Sequence, residues 1–230
     1  LSTALTDPKA ELDQSKFSPL EIFDLGCREY SEIYEQMRTF TAVRDGNTPD
    51  QIWLVEHPPV FTLGQAGDSS HLLDEKTAIP VVKVDRGGQI TYHGPGQIVV
   101  YLLLDLKRHG FYVRELVTRM EQAMIDTLKA LRVDGDRQKG APGIYLGHQP
   151  GYEHLKGAKI AALGLKVSRH YTYHGLALNV DMDLQPFRMI NPCGYEGLRT
   201  IDLKTLGISE NRATVANILI AHLKESLNLA

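Results

Sequence analysis

Two side chains stand out by type and setting, a thiol able to act as a nucleophile and a lysine at the start of an apolar run. Cys193 lies in Asn191-Pro192-Cys193-Gly194-Tyr195, with a proline before it and a glycine after it. Proline fixes the local backbone and glycine removes a side chain, so this thiol is presented on a turn, and a thiolate is an intrinsically strong nucleophile. The competing reading is a partly buried loop cysteine. Lys159 precedes the apolar, small-residue run Ile160-Ala161-Ala162-Leu163-Gly164-Leu165, where a cation is out of keeping. On its own setting it reads as a solvated charge at a strand edge.

A third feature is the glycine-loaded segment Arg86-Gly87-Gly88-Gln89-Ile90-Thr91-Tyr92-His93-Gly94-Pro95-Gly96-Gln97. Glycines let a ligand approach the main chain, yet this spacing matches neither a dinucleotide fingerprint nor a P-loop. The segment reads as a ligand-cradling loop or as a turn-rich structural hairpin, with Arg86 and His93 the polar groups best placed to face a ligand. His174-Gly175 repeats the Tyr-His-Gly of residues 92–94 and opens another apolar strand. It is a second backbone approach point or a hydrogen-bonded structural histidine. A zinc site from His93, His174 and Cys193 is disfavoured, because the chain lacks the close ligand pairs of such sites. Cys27 falls at helical spacing with Tyr30, Ile33, Tyr34 and Met37 and reads as a small buried hydrophobe on a first helix.

The elements that must position these groups follow from periodicity. Residues 1–20 mix charges, serines and prolines without period and read as a loose N-terminal extension; residues 21–230 read as one domain. EIFDLG is a first strand, and QIWLVEHPPVFTLG is a strand interrupted at Pro58 and Pro59, which suit an edge or a bend. Strands follow at PVVKVD and at QIVVYLLLDL, whose apolar residues on both parities predict a central strand. Val113, Leu116, Val117, Met120, Met124, Leu128 and Leu131 predict a long helix. Strand patterns return at GIYLG, KIAALGLKV and YHGLALNVDM, and a C-terminal amphipathic helix carries Val215, Ile218, Leu219, Leu223 and Leu227. Several consecutive strands lack intervening helices, so the fold class is α+β, a mixed β-sheet flanked by helices.

Composition bounds the function. The 230 residues are 43% hydrophobic and 23% charged with a net charge of −3, enough for a substantial core. No basic excess supports nucleic-acid binding, although Lys156, Lys159, Lys166, Arg169 and Arg188 form a local basic stretch. The longest apolar runs are far short of a membrane span, no export-type leader is visible, and two cysteines suit a reducing compartment. These features predict a cytoplasmic, monomeric protein with no membrane association.

Together, EHPPVFTLG at 56–64, RGGQITYHGPGQIVVYLLLDL at 86–106, GAKIAALGLKVSRH at 157–170, HGLALNVDMDL at 174–184 and INPCGY at 190–195 resemble the octanoyltransferases of lipoate biosynthesis. The resemblance runs from about residue 25 to the C-terminus. It implies the catalytic domain shared with biotin and lipoate protein ligases. It also implies transfer of an octanoyl group from octanoyl-acyl carrier protein to a lysine of lipoyl domains, those of 2-oxoacid dehydrogenase E2 subunits and of the glycine cleavage H protein, with no metal and no cofactor. By the same resemblance Cys193 is the nucleophile and carries an acyl thioester, and Lys159 is its acid/base partner. Arg86, Gly87, Gly88, Gln89, Ile90, Thr91, Tyr92 and His93, then Ala161, Ala162 and Leu163, then His174, Gly175 and Leu176, line the acyl site.

The chemistry is consistent with that implication. A free thiol of pKa about 8.5 is only a few per cent thiolate at pH 7, and a neighbouring ammonium or base raises that share. A thioester is already activated, so no ATP is needed, and a covalent intermediate lets two protein substrates use one site in turn. Burying six methylenes is worth roughly 5 kcal/mol, which calls for an apolar tunnel, expected from Val99, Tyr92, Leu163 and Leu176. An acidic carrier calls for a basic docking patch, expected at 156–169. The alternatives are an ATP-dependent lipoate or biotin protein ligase and a non-catalytic acyl-chain or carrier-binding module.

Overall fold

Strand β6 (Gln97–Leu103) organises the molecule, because every one of its residues is buried. Its alternation sends Ile98, Val100 and Leu102 into one core and Val99, Tyr101 and Leu103 into another. The computed structural model describes residues 20–74 and 76–229. The N-terminal extension expected from the sequence therefore lies, but for Leu20, outside the described residues.

β6 stands third in a seven-stranded sheet ordered β1 (Glu21–Cys27), β2 (Gln51–Glu56), β6, β10 (Tyr171–Asn179), β9 (Lys159–Ser168), β8 (Ala141–Leu146), β7 (Gly135–Gln138). β1 runs parallel to β2, and the other neighbours are antiparallel. After β2 the two prolines end the ladder, and the chain bends into a second, three-stranded sheet of β4 (Val81–Lys83), β3 (Val60–Leu63) and β5 (Ile90–His93). The mixed sheet flanked by helices is the expected α+β architecture.

Helices α3 (Val113–Ala130) and α4 (Arg212–Ser226) cover one face of the large sheet and build an aliphatic core from Leu116, Met120, Met124, Leu128, Val215, Leu219 and Leu223. Asn211 caps α4 by accepting from Thr214 N. Helix α1 (Tyr30–Val43) and the small sheet cover the other face. The C-terminal end of α1 is tied down at buried Asp50, which takes Arg44 at 2.6 Å, and also Arg108 and His109 from the short helix α2 (Leu106–His109).

Cys27 departs from the expectation: it is exposed at the end of β1, and the helix begins only at Tyr30. Gly26 adopts a left-handed backbone with its N–H on Asp24 Oδ1, and the β1–β2 register shifts between Asp24 and Cys27. That kink separates Cys27 from the helical period it happened to match.

Candidate active site

Lys159 is only 4% exposed, so it is not a solvated edge charge. Its strand start is covered by the returning chain: Lys159 N donates to Arg199 O at 2.8 Å, and Ile201 N donates to Lys159 O at 2.9 Å. Nζ donates to Pro142 O at 2.9 Å and sits 5.2 Å from the Tyr145 ring centroid. Room for this side chain comes from Gly143, where a Cβ would stand 2.6 Å from Lys159 Cε. At φ +126° Gly143 also holds a backbone that side chains rarely adopt. Lys159 lines a small cavity with Thr91, Ala162, Phe187, Pro192 and Thr200. Pro192 opens the short 3-10 turn Pro192–Gly194 that carries Cys193, closed by Gly194 N on Asn191 O at 2.9 Å.

Beside this cavity, sharing Thr91 and Ala162 as lining residues, lies a second cleft, partly open to solvent, between the large sheet and residues 86–91. Val99 and Ala177 give it an apolar wall, the strand segments at Leu163 and Leu176 border it, and Arg86, Gly88, Gln89, Ile90 and Thr91 come from residues 86–91. Gly175 has no room for a side chain, because a Cβ there would lie 1.9 Å from Val100 O. The loop is fastened to β9 by Gly87 N on Leu165 O at 3.0 Å.

One wall is aromatic and polar: Tyr30, Tyr101, His93 and His174. His57 Nδ1 lies 2.7 Å from Arg28 O, which can only accept, so Nδ1 carries the proton and Nε2 accepts from Tyr101 OH at 2.7 Å. Burial pushes the His57 pKa down to about 4. Burial likewise drives His93 down to about 3, with nearby His57 adding to the effect. A polar chain runs from Arg86 to Thr62 Oγ1 at 2.8 Å, on to His93 Nε2 at 3.5 Å, from His93 Nδ1 to Gln97 at 2.7 Å, and from Gln97 to Asn179 at 2.9 Å. Asn179 reaches Ile201 O at 2.9 Å, which brings the chain back to the residues that clamp Lys159.

His174 breaks the alternation of β10. By parity it belongs with Leu176 and Leu178 in the aliphatic core, but its φ of +61° is left-handed, and its ring lies against Tyr34 and Tyr101 on the α1 face. Nε2 donates to Asp85 Oδ1 at 3.0 Å. Burial pulls the His174 pKa below the ordinary histidine value despite Asp85. Burial raises the Asp85 pKa, but hydrogen bonds from His174, Tyr173 and Tyr34 outweigh it and hold the carboxyl below the usual range.

Of the residues expected at the acyl site, Arg86, Gly88, Gln89, Ile90, Thr91, His93, Ala162, Leu163, His174, Gly175 and Leu176 line the cleft. Ala161 lines the small cavity beside Lys159. Gly87 serves the loop's attachment, and Tyr92 faces away, packed on Phe61 and Phe187 in the small sheet's core. Of the residues expected to line a tunnel, Val99, Leu163 and Leu176 border the cleft, but Leu163 and Leu176 also pack in the aliphatic core on the other face of the sheet, and Tyr92 does not border it. The 156–169 stretch does not form one basic face: Lys159 is buried, and Arg169 donates to the carbonyls of Thr41 and Ala42 at the end of α1. Tyr30, His57, Asp85 and Tyr101 were not singled out in the sequence. The available signal was a tyrosine within the otherwise apolar run 98–104.

A seven-stranded mixed sheet with a glycine-rich loop over a cleft at its centre defines a catalytic domain of the lipoate and biotin protein ligase type. The chain resembles the structure of protein Ta0514 from T. acidophilum, a putative lipoate protein ligase with bound lipoic acid, at TM-score 0.69 and 16% identity, covering 93% of this chain and 87% of that one. It also resembles the biotin protein ligase from Aquifex aeolicus in complex with biotin and ATP, at TM-score 0.55 and 10% identity, covering 92% and 71%. The model of the lipoyl protein ligase A/B catalytic domain matches residues 32–224. An octanoyltransferase of Polynucleobacter asymbioticus is 58% identical over 88% of this chain and 95% of its own length. The chain belongs to the lipoyl protein ligase A/B catalytic domain family and, within it, to the octanoyltransferases.

Proposed function

We propose that this protein moves an octanoyl group from octanoyl-acyl carrier protein to the ε-amine of a lysine on a lipoyl domain, through a thioester on Cys193. The observation that carries this reading is the adjacency of two spaces. The cavity lined by Lys159 and by Pro192, next to Cys193, lies beside the cleft and shares Thr91 and Ala162 with it as lining residues.

In the first half-reaction the Cys193 sulfur attacks the thioester carbonyl as Lys159 takes the thiol proton. The new S–C bond forms, the donor's S–C bond breaks, and the departing thiolate takes the proton back from Lys159. In the second, the acceptor lysine's neutral amine attacks the acyl-enzyme. A C–N bond replaces the S–C bond, and the amine's proton passes through Lys159 to the Cys193 thiolate. Thioester exchange is nearly isoenergetic, and amide formation draws the sequence forward. The buried position of Lys159 keeps its Nζ in one place, which favours proton transfer at a fixed distance.

Intact-protein mass spectrometry after mixing with octanoyl-acyl carrier protein, without ATP, tests the mechanism. The wild type is expected to gain one octanoyl group, to lose it to an added lipoyl domain, and to gain none as Cys193→Ala. Transfer that requires ATP and the free acid would replace this reading with a ligase.

A further inference from the structure

The mechanism uses the cleft near Lys159 and leaves its aromatic end unexplained. Along β9 the lysine is three residues from Ala162 and five from Gly164, roughly 10 and 17 Å at strand spacing. Gly164 pairs with Gly175, and Gly175 with Tyr101, so the rings of His174 and Tyr101 stand at the end of the cleft remote from the reacting atoms. His174 bears two marks of a residue kept there at a cost in stability. Its backbone is left-handed inside a strand, and its Nδ1 is buried without a hydrogen-bond partner. Because Nε2 donates to Asp85, Nδ1 is the unprotonated nitrogen. Regular β geometry would turn this side chain into the opposite core and leave the cleft longer.

From these features we infer that His174 is the specificity-determining residue that closes the far end of the acyl cleft and sets the longest chain accepted. The inference rests on the acyl-transfer reading above. Asp85, Tyr173 and Tyr34 hold the ring from behind: Tyr173 OH and His174 Nε2 both donate to the Asp85 carboxylate, and Tyr34 stacks 5.4 Å from the imidazole. Tyr101, 6.4 Å away, is itself fixed by His57. An acyl chain longer by two or four methylenes has to displace a ring whose movement breaks a buried hydrogen bond, and a hydrocarbon end offers none in exchange. An eight-carbon chain stops short of the wall.

His174→Gly is the natural probe, since glycine suits the left-handed backbone while emptying the end of the cleft, and His174→Asn keeps that backbone with a smaller side chain. Transfer from hexanoyl, octanoyl, decanoyl and dodecanoyl carrier thioesters is measured for the wild type and both variants. The expected result is a rise in the dodecanoyl-to-octanoyl ratio of kcat/KM of about tenfold or more in His174→Gly, with His174→Asn between it and the wild type. A merely structural role would lower all chain lengths alike. Melting temperatures with free octanoic and dodecanoic acid give a readout without turnover: dodecanoate is expected to stabilise His174→Gly and not the wild type. Unchanged chain-length ratios and unchanged melting responses in both variants would overturn the inference. A wild type that fails to transfer octanoyl while the melting responses shift as expected would instead sink the transfer reading alone.

Discussion

The two faces of the seven-stranded sheet are both buried but chemically unlike. Against α3 and α4 the buried hydrophobic side chains are aliphatic, from Ile52 and Leu54 to Leu223 and Leu227, with Glu121 and Thr127 of α3 the buried polar exceptions on that helix. Against α1 and the small sheet the same strands present Trp53, Tyr101 and Tyr173, with His57, His93 and His174 beside them. Burial therefore marks neither face as the site. The difference lies in polar groups taken out of water and bonded to one another, an arrangement that gives little or no stability over an apolar core and is usually found where chemistry or specificity requires it. One face is dominated by aliphatic packing, and the polar groups gathered on the other border the cleft where the reaction is proposed.

The sharpest way to test that division is to remove the Lys159 amine. Lys159→Met is expected to slow acyl-enzyme formation by about 100-fold or more while the protein stays folded, read by single-turnover mass spectrometry alongside circular dichroism. Wild-type rates in this variant would break the assignment of chemistry to this face. The converse change is Leu102→Ala, on the aliphatic side of β6. Emptying a fully buried leucine is expected to cost about 2–5 kcal/mol in urea unfolding and to leave kcat/KM per folded molecule unchanged. A smaller effect comes from pH. His57 and His93 take up protons only below about 4 and about 3 in the folded protein, whereas an unfolded histidine does so from about 6.5. Between those values the unfolded chain binds the extra proton, so stability falls as pH falls, by about 1.4 kcal/mol per unit and ring, nearing 2 kcal/mol per ring at pH 5. Urea midpoints from pH 7.5 to 5 should show this slope, and a His57→Gln, His93→Gln double variant should lose most of it.

The sequence was most legible where a pattern is local. The unbroken apolar run of β6 announced a strand buried on both sides, and the helical period of α3 was visible over its whole length. Local pattern also misled: Cys27 matched a helical step by coincidence, and a kink at Gly26 removed it from the helix. Tyr92 was assigned to the cleft with its neighbours, although in β5 alternate side chains point into different cores. The polar wall was illegible because its members meet only through register. Tyr101 and His57 are 44 residues apart, and His174 and Asp85 are 89 apart. No spacing rule announces a pair that three strands and a loop bring together. The left-handed turn of His174 was equally hidden, since its neighbours read as an ordinary apolar strand.

The clamp on Lys159 by Arg199 and Ile201 has a consequence for biosynthesis. During translation the lysine, the glycine-rich loop and the whole central sheet leave the ribosome well before residue 201 does. Until that last segment arrives, the strand start at Lys159 is open to water and lacks the two backbone bonds that fix it. The nascent chain therefore completes its strands first and the surroundings of Lys159 last. A polypeptide released between residues 180 and 199 would contain every strand of the sheet yet lack both the backbone bonds at Lys159 and the part of the aliphatic core that α4 supplies, so such truncated products are expected to be inactive.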